Sequence, residues 1–465
     1  MTLKERIGKL IGTKAFYASI VAIVIPIMLQ QGLTSVVGLL DNIMVGRLDA
    51  DSIAGVAICN QILFVFSNLM MGGLAGPGIF VSQYFGAKDE VHLLQSFRFK
   101  MILAFIVTAI TVIVFSIYGE EIIRVVFDND EVQEEIAIEK GMSYLNIMIY
   151  SLPIFALSQV LSTTLREIGE VKIPLYSSIA AIVVNFVLNY ILIFGKFGAP
   201  RLEVAGAAYA TLVSRVVEGT ILLVFVMIKK CVFSRGLFKN FKINFNLTRA
   251  ITKKGTPLLV NELFWGIGST LIMFSYALRG KNVVAALSIS SAASNLLYVI
   301  FSALGVGIAI FVGKELGANR IEEARNNANK LLFFAVIVSI IMSALFVIAS
   351  PFIPKLYNVE YEIRHLATLF IIVICCCMPI FTFNVGCFFT LRSGGKTIYT
   401  LIFDSGFQIL FSLPLAFILS KYTNLYIVYT YFIVQFSEII KSFIGFKFVT
   451  SGLWASNLTN SHENN

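Results

Sequence analysis

A chain of 465 residues that is 57% hydrophobic and only 14% charged carries more apolar surface than a soluble fold of that size can hide. With a mean hydropathy of +0.84 its expected solvent is lipid, and the recurrence of long apolar blocks favours a helical bundle over a β-barrel with two-residue alternation. The net charge of +9 does not by itself argue for nucleic acid, because in a membrane protein the first question is where Lys and Arg lie relative to the spans.

Met1 leads into a basic segment, TLKERIGKLIGTK, with no small-residue cleavage site, so no removable signal peptide is expected. Breaks at Gly, Pro and charge clusters then divide the chain into twelve expected spans. These are 16–46, 53–85, 93–118, 136–165, 173–195, 204–228, 250–278, 284–315, 328–352, 363–391, 397–420 and 424–449. Several exceed the hydrocarbon thickness, which implies tilt or projection into water.

The first span, within IVAIVIPIMLQQGLTSVVGLLDNIMVGRLD (20–49), contains Pro26 and, toward its outer end, Asp41. A carboxylate in hydrocarbon costs roughly 2.5–3.5 kcal/mol on insertion scales, so it needs a water-filled cavity, a partner or a function. In the fifth span Asn185 and Asn189 stand at i and i+4 and share one helix face. A carboxylate and amides converging inside one lobe could hold Na⁺ through oxygen ligands, or the carboxylate alone could take up a proton. Glu262, in GTPLLVNELFWGIG, lies beside Phe264 and Trp265 in the seventh span, where charge and π faces together suit a cation. Asp404, in the eleventh span, could face the same cavity, and Asn60, Asn68, Ser290, Ser291 and Asn295 add polarity consistent with cavity lining. Arg215 with Glu218, and Glu438 with Lys441, are i,i+3 pairs that can neutralise one another.

The loops set orientation. Segments on the amino-terminal side hold roughly 25 Lys and Arg, among them Lys229, Lys230, Arg235, Lys239 and Lys242, against about ten on the other. The longest loop of that other side is acidic, with Glu120, Glu121, Asp128, Asp130 and Glu131. Both termini are therefore expected in the cytoplasm, and no nucleic-acid partner is needed to explain the basic excess.

An internal repeat organises the whole. Pro26 and Gly86-Ala87 recur as Pro257 and Gly317-Ala318, each displaced by the same 231 residues. Further on, LREIGEVK (165–172) is answered by LRSGGK (391–396), and SRVVE (214–218) by SEIIK (437–441) with the charges reversed. Two six-span halves result, 1–228 and 250–465, joined by a basic linker at 229–249. An even number of spans per half gives both copies the same orientation, a design that suggests alternating access.

Enzymatic chemistry finds little support. The three His residues, at 92, 365 and 462, are dispersed, and there is no Walker A loop, HExxH or GxSxG. Four of the six cysteines, Cys375, Cys376, Cys377 and Cys387, sit in one apolar span and read as packing residues, so neither a metal nor another cofactor is expected. Without an ATP-binding cassette, uphill transport would draw on an ion gradient.

The run LDNIMVGRLDADSIAGVAICNQI, the GAKD after the second span, and NFVLNYILIFGKFG followed by VAGAAYATLVSR resemble the multidrug and toxic compound extrusion (MATE) family, over essentially the whole chain. The resemblance implies an all-α, V-shaped transporter of twelve transmembrane helices in two lobes, exporting amphipathic organic cations and other drugs in exchange for H⁺ or Na⁺. Its first-helix carboxylate and bending proline match Asp41 and Pro26, with Pro257 as the repeat counterpart of the latter. Its paired fifth-helix positions match Asn185 and Asn189, its seventh-helix glutamate matches Glu262, and Thr211 corresponds to a polar contributor on the sixth helix. A Na⁺ site at Asp41, Asn185, Asn189 and Thr211 is thereby implied, although many members carry Asp where this chain has Asn189. The expected function is a monomeric plasma-membrane antiporter, with Glu262, Asp404, Phe264, Trp265, Asn60 and Asn295 touching drug. The alternative is a lipid or lipid-linked oligosaccharide flippase of the same broader superfamily, which would want cavity Arg and Lys where this chain offers carboxylates.

Overall fold

The computed structural model describes residues 10–45, 48, 50–124, 132–235, 243–357 and 359–459. The basic residues up to Lys9, Asp128, Asp130 and Glu131 of the acidic loop, Lys239 and Lys242 of the linker, and His462 lie outside these residues.

Among the described residues the regular structure is helical throughout. In hydrocarbon a backbone must satisfy its own N–H and C=O groups, and a helix does so within one segment. The first six long helices are α1 (Lys14–Val45), α2 (Ala50–Ala87), α3 (Glu90–Arg124), α4 (Val132–Glu167), α5 (Lys172–Phe194) and α6 (Glu203–Ile228). The next five are α7 (Phe245–Ala277), α8 (Lys281–Gly317), α9 (Ile321–Ala349), α10 (Tyr361–Ser393) and α11 (Thr397–Tyr422). These eleven are long and apolar enough to cross a membrane. The twelfth apolar segment is broken at Ser437 into α12 (Ile427–Phe436) and α13 (Glu438–Ser451), each too short to span alone. The twelve-helix organisation is present, with its last member in two pieces.

α11 departs from α-helical winding over Ile402–Gly406 and Gln408–Ser412, which are π-helical. Such wide turns re-aim side chains and concentrate at functional positions. Outward-facing side chains such as Phe105 (74% exposed), Ile110 and Ile117 on α3 are apolar, as lipid contact requires.

The repeat extends to backbone detail. After α2 and α8, Lys88 (φ 60°) and Asn319 (φ 61°) adopt the left-handed conformation. The Asp89 N–H then donates to the Tyr84 carbonyl (3.0 Å), and the Arg320 N–H to the Glu315 carbonyl (2.9 Å). Both are six-residue Schellman closures, 231 positions apart.

Of the described residues, 29–81 and 90–251 form one compact unit, the amino-terminal unit. Residues 10–28, 82–89 and 252–459 form the other, the carboxy-terminal unit. The division falls inside α1 shortly after Pro26, and inside α2 before its last turns. In the amino-terminal unit α6 packs on α5 and α4, and α3 packs on α4. In the carboxy-terminal unit α10 is central and meets α8, α9, α12 and α13.

Candidate functional site

In the amino-terminal unit the i,i+4 spacing on α5 does bring Asn185 and Asn189 to one face, and both are buried. Asn189 Nδ2 donates to Asp41 Oδ1 on α1 (2.5 Å) and to Asn185 Oδ1 (3.1 Å). Asn185 Nδ2 donates in turn to Thr211 Oγ1 on α6 (3.3 Å). The cluster borders a cavity of about 250 Å³ whose polar lining is Asp41, Asn60, Tyr144 and Thr211, with Val45, Val56 and Ala207 as its apolar walls. Across it the Tyr144 hydroxyl donates to Asn60 Oδ1 (3.4 Å). Two features stand out electrostatically. Asp41 makes no ion pair among the described residues, and Asn189 Oδ1 is buried with no hydrogen-bond partner.

Each unit also contains a polar brace that ties the first, fifth and sixth helices of its half. In the amino-terminal unit Gln30 Nε2 on α1 donates to Ser178 Oγ on α5 (2.9 Å), and Ser178 Oγ donates to Glu218 Oε1 on α6 (2.8 Å). Arg215 pairs with Glu218 (3.2 Å) and lies over the Phe155 ring. In the carboxy-terminal unit Asn261 on α7, the counterpart of Gln30 at the 231-residue displacement, donates from Nδ2 to Asp404 Oδ2 on α11 (3.1 Å). It accepts from Ser405 Oγ (2.5 Å). The π-helical turn presents Asp404 and Ser405, adjacent in sequence, to this one amide. Lys441 on α13 then reaches Asp404 (2.6 Å) and Glu438 (3.4 Å), and Glu438 also accepts from Asn384 Nδ2 (3.1 Å). The charge reversal read between SRVVE and SEIIK is therefore a difference between two equivalent nodes: one neutral pair, against one ammonium serving two carboxylates.

The MatE family model matches residues 26–191 and 257–418, one block in each half of the repeat. The chain belongs to the MatE family. It is a multi-pass membrane transporter of that family, and its curated relatives are bacterial. It is 25% identical over 404 residues to a "Probable multidrug resistance protein YoeA" of Bacillus subtilis, covering 86% of each chain. It is 24% identical over 445 residues to a "Probable multidrug resistance protein NorM" of Thermotoga maritima, covering 94% of this chain and 92% of that one. Among solved structures, a MOP superfamily transporter from Pyrococcus furiosus superposes with a TM-score of 0.85 at 18% identity, covering 96% of this chain and 98% of the other. The Vibrio cholerae MATE transporter VcmN superposes with a TM-score of 0.86 at 16% identity, with the same coverage. At these identities the structural likeness concerns the fold.

Set against the MatE fold, the positions singled out in the sequence fall into two groups. Asp41, Asn60 and Thr211 line a cavity of the amino-terminal unit, and Asn185 and Asn189 are hydrogen-bonded to Thr211 and Asp41 beside it. Glu262 and Asp404 belong to the carboxy-terminal unit, where they part company. Asp404 is held by Lys441 and Asn261, whereas the half-buried Glu262 makes no hydrogen bond or ion pair among the described residues. Phe264 (45% exposed) and Asn295 face outward, and Trp265 is half-buried. Pro26 and Pro257 both lie inside their helices. Sequence reading passed over Asn261, Gln30 and Tyr144. The first two could have been found by applying the repeat displacement to buried polar positions, but a single Tyr in the fourth span gives no such signal.

Proposed function

We propose that this MatE transporter is a secondary-active multidrug efflux antiporter of the plasma membrane, with both termini in the cytoplasm. It exports amphipathic, often cationic, organic compounds in exchange for H⁺ or Na⁺. The observation that carries the reading is the Asp41 carboxylate, which makes no ion pair among the described residues, beside a cavity in the membrane-spanning part of the amino-terminal unit. Such a group binds a proton or a small cation on one side of the membrane and gives it up on the other, which is what exchange requires. The relatives, matched over most of their length and named probable multidrug resistance proteins, support the substrate class.

The neighbours of Asp41 fit a hard monovalent cation conditionally. Oxygens of Asp41, Asn185 and Thr211 are of the type such ions take. The Asn189 amide as placed turns its N–H toward the carboxylate and leaves its own oxygen without a partner. Rotation of that amide by half a turn would supply the fourth oxygen. In its present orientation the site suits a proton on Asp41 better than Na⁺. Glu262, which makes no hydrogen bond or ion pair among the described residues, is the residue we assign to the cationic group of the drug, with Trp265 one turn on offering a ring face for its apolar body.

The test is ethidium efflux from proteoliposomes, with a pH gradient and a Na⁺ gradient imposed separately. One gradient is expected to drive efflux, and Asp41→Asn is expected to lower the driven rate at least tenfold. Glu262→Gln is expected to weaken ethidium binding more than it alters the response to the gradient. Absence of efflux under either gradient would overturn the exporter reading for cationic dyes and favour a flippase.

A further inference from the structure

Within the carboxy-terminal unit the last turns of α2 cross α8 through a reciprocal glycine contact. A Cβ built on Gly317 would lie 1.8 Å from the Gln83 carbonyl oxygen, and one on Gly86 would lie 2.1 Å from that of Lys314. Gly313 faces Ser82 Oγ in the same way at 2.6 Å. Gln83 and Lys314, Gly86 and Gly317, and Ser82 and Gly313 are each related by the 231-residue repeat. The two copies of one sequence motif thus pack on each other, backbone to backbone.

A separate element closes over this crossing. After Gly452 (φ 67°) ends α13, the tail turns back, and the buried Trp454 indole donates to the Val449 carbonyl (2.9 Å). Gly394 sits directly beneath, where a Cβ would meet the Trp454 carbonyl oxygen at 1.8 Å, and Ser456 Oγ donates to the Gly394 carbonyl (2.7 Å). The tail then reaches α2 through one fully buried side chain. Gln83 Nε2 donates to the carbonyls of Ser393 (2.8 Å) and Ser456 (3.4 Å), and Gln83 Oε1 accepts from the Leu458 N–H (2.7 Å). Asn457 Nδ2 adds a contact to Asn319 Oδ1 beyond α8 (3.5 Å).

We propose that the tail from Gly452 to Thr459 is a strap that holds the last turns of α2 against α8 and α10, with Gln83 as its buckle, and that the strap must release when the transporter opens on that side. Three observations converge on this. Residues 82–87, the end of α2, belong to the carboxy-terminal unit while the rest of that helix belongs to the other, so the strap acts on a helix shared by both. The glycine crossing beneath brings backbone against backbone, with the Lys314 ammonium over the Phe85 ring (4.9 Å) and Ser82 Oγ donating to the Ile310 carbonyl (3.5 Å) beside it. The polar closure comes from residues 452–459, which follow α13 and can leave α2 without unwinding a helix. The gating role rests on the transport reading, whereas the strap itself does not.

The decisive experiment places a single cysteine at Ser82→Cys, in a background without native cysteines, and measures its labelling rate by a small maleimide in detergent. Ser82 is buried, 5% exposed, beneath Gly313, so labelling requires the crossing to open. Gln83→Met keeps side-chain volume and removes all three hydrogen bonds. A chain ending at Ala455 keeps the packed Trp454 and removes the strap beyond it. Both are expected to raise the labelling rate by roughly tenfold, the factor controlled by a buried hydrogen bond of ordinary strength, with unfolding temperatures near that of the parent. Unchanged labelling in the folded variants overturns the proposal; should Gln83→Met fail to fold, the shortened chain decides alone. Ethidium efflux is measured on the same proteins. If none of them, the parent included, moves ethidium, the exporter reading fails while the labelling result still decides the strap.

Discussion

Asn189 determines what the Asp41 carboxylate meets. Its Nδ2 donates a hydrogen bond to a charged acceptor, of the stronger kind, at 2.5 Å. Asn189→Asp replaces that donor with a second anion, and two carboxylates at hydrogen-bond distance cannot both stay charged without a cation or a shared proton between them. The variant is expected to gain a Na⁺-dependent rise in unfolding temperature at pH 8 that the parent lacks, measured against K⁺ and choline; equal curves in all three salts would show that the second charge does not make the site. The second residue on which much depends is Lys441, buried between Asp404 and Glu438. Removing one partner from a buried ion pair costs about 3–5 kcal/mol, because the other charge is stranded. Lys441→Met should therefore destabilise the protein by about that amount, and adding Asp404→Asn should restore most of the loss, since Asn still accepts from Asn261. Chemical unfolding of the single and double variants checks this, and a double variant no better than the single one would place the damage elsewhere than at Asp404.

At the scale of elements, α2 and α4 approach through Gly55 and Gly141, and this approach places two walls of the cavity. A Cβ on Gly55 would lie 2.4 Å from the Ala137 carbonyl oxygen, and Cys59 one turn on donates to the Gly141 carbonyl (3.1 Å). Val56 and Asn60 follow on the same helix, and Tyr144 follows on the other. Gly55→Leu must push the helices apart, at a cost of about 1–3 kcal/mol. The expected result is a lower unfolding temperature together with loss of the Asp41-dependent part of efflux; a stability loss with efflux intact would uncouple the helix contact from the cavity. What could be read of this level in the sequence follows from the physics of spans. Helices α1 to α10 were legible because each needs an apolar run and ends at charge, Gly or Pro. The break at Ser437 was not, because SEIIK is a short polar interruption that a continuous helix could also carry. Nor was the π-helical winding of α11, where the apolar run TLIFDSGFQILFS shows no local signal. The spacing of Asn185 and Asn189 gave their shared face, but which helices that face meets, α1 through Asp41 and α6 through Thr211, is set by packing alone.

For the whole molecule, the uneven distribution of Lys and Arg makes a claim about sidedness that surface labelling can check. The loop between α5 and α6 presents Phe197 at 88% exposure, on the expected outer face, and Lys229 follows α6 on the expected cytoplasmic face. In intact cells an impermeant maleimide is expected to label Phe197→Cys at once, and Lys229→Cys only after permeabilisation. The native Cys231 nearby, half-buried, reacts more slowly than an exposed cysteine. Burial, with the Glu170 carboxylate adding to it, pushes its thiol above the usual range, so less thiolate is present to react. The opposite labelling pattern would overturn the expected sidedness, and with it the cytoplasmic placement of the basic segments.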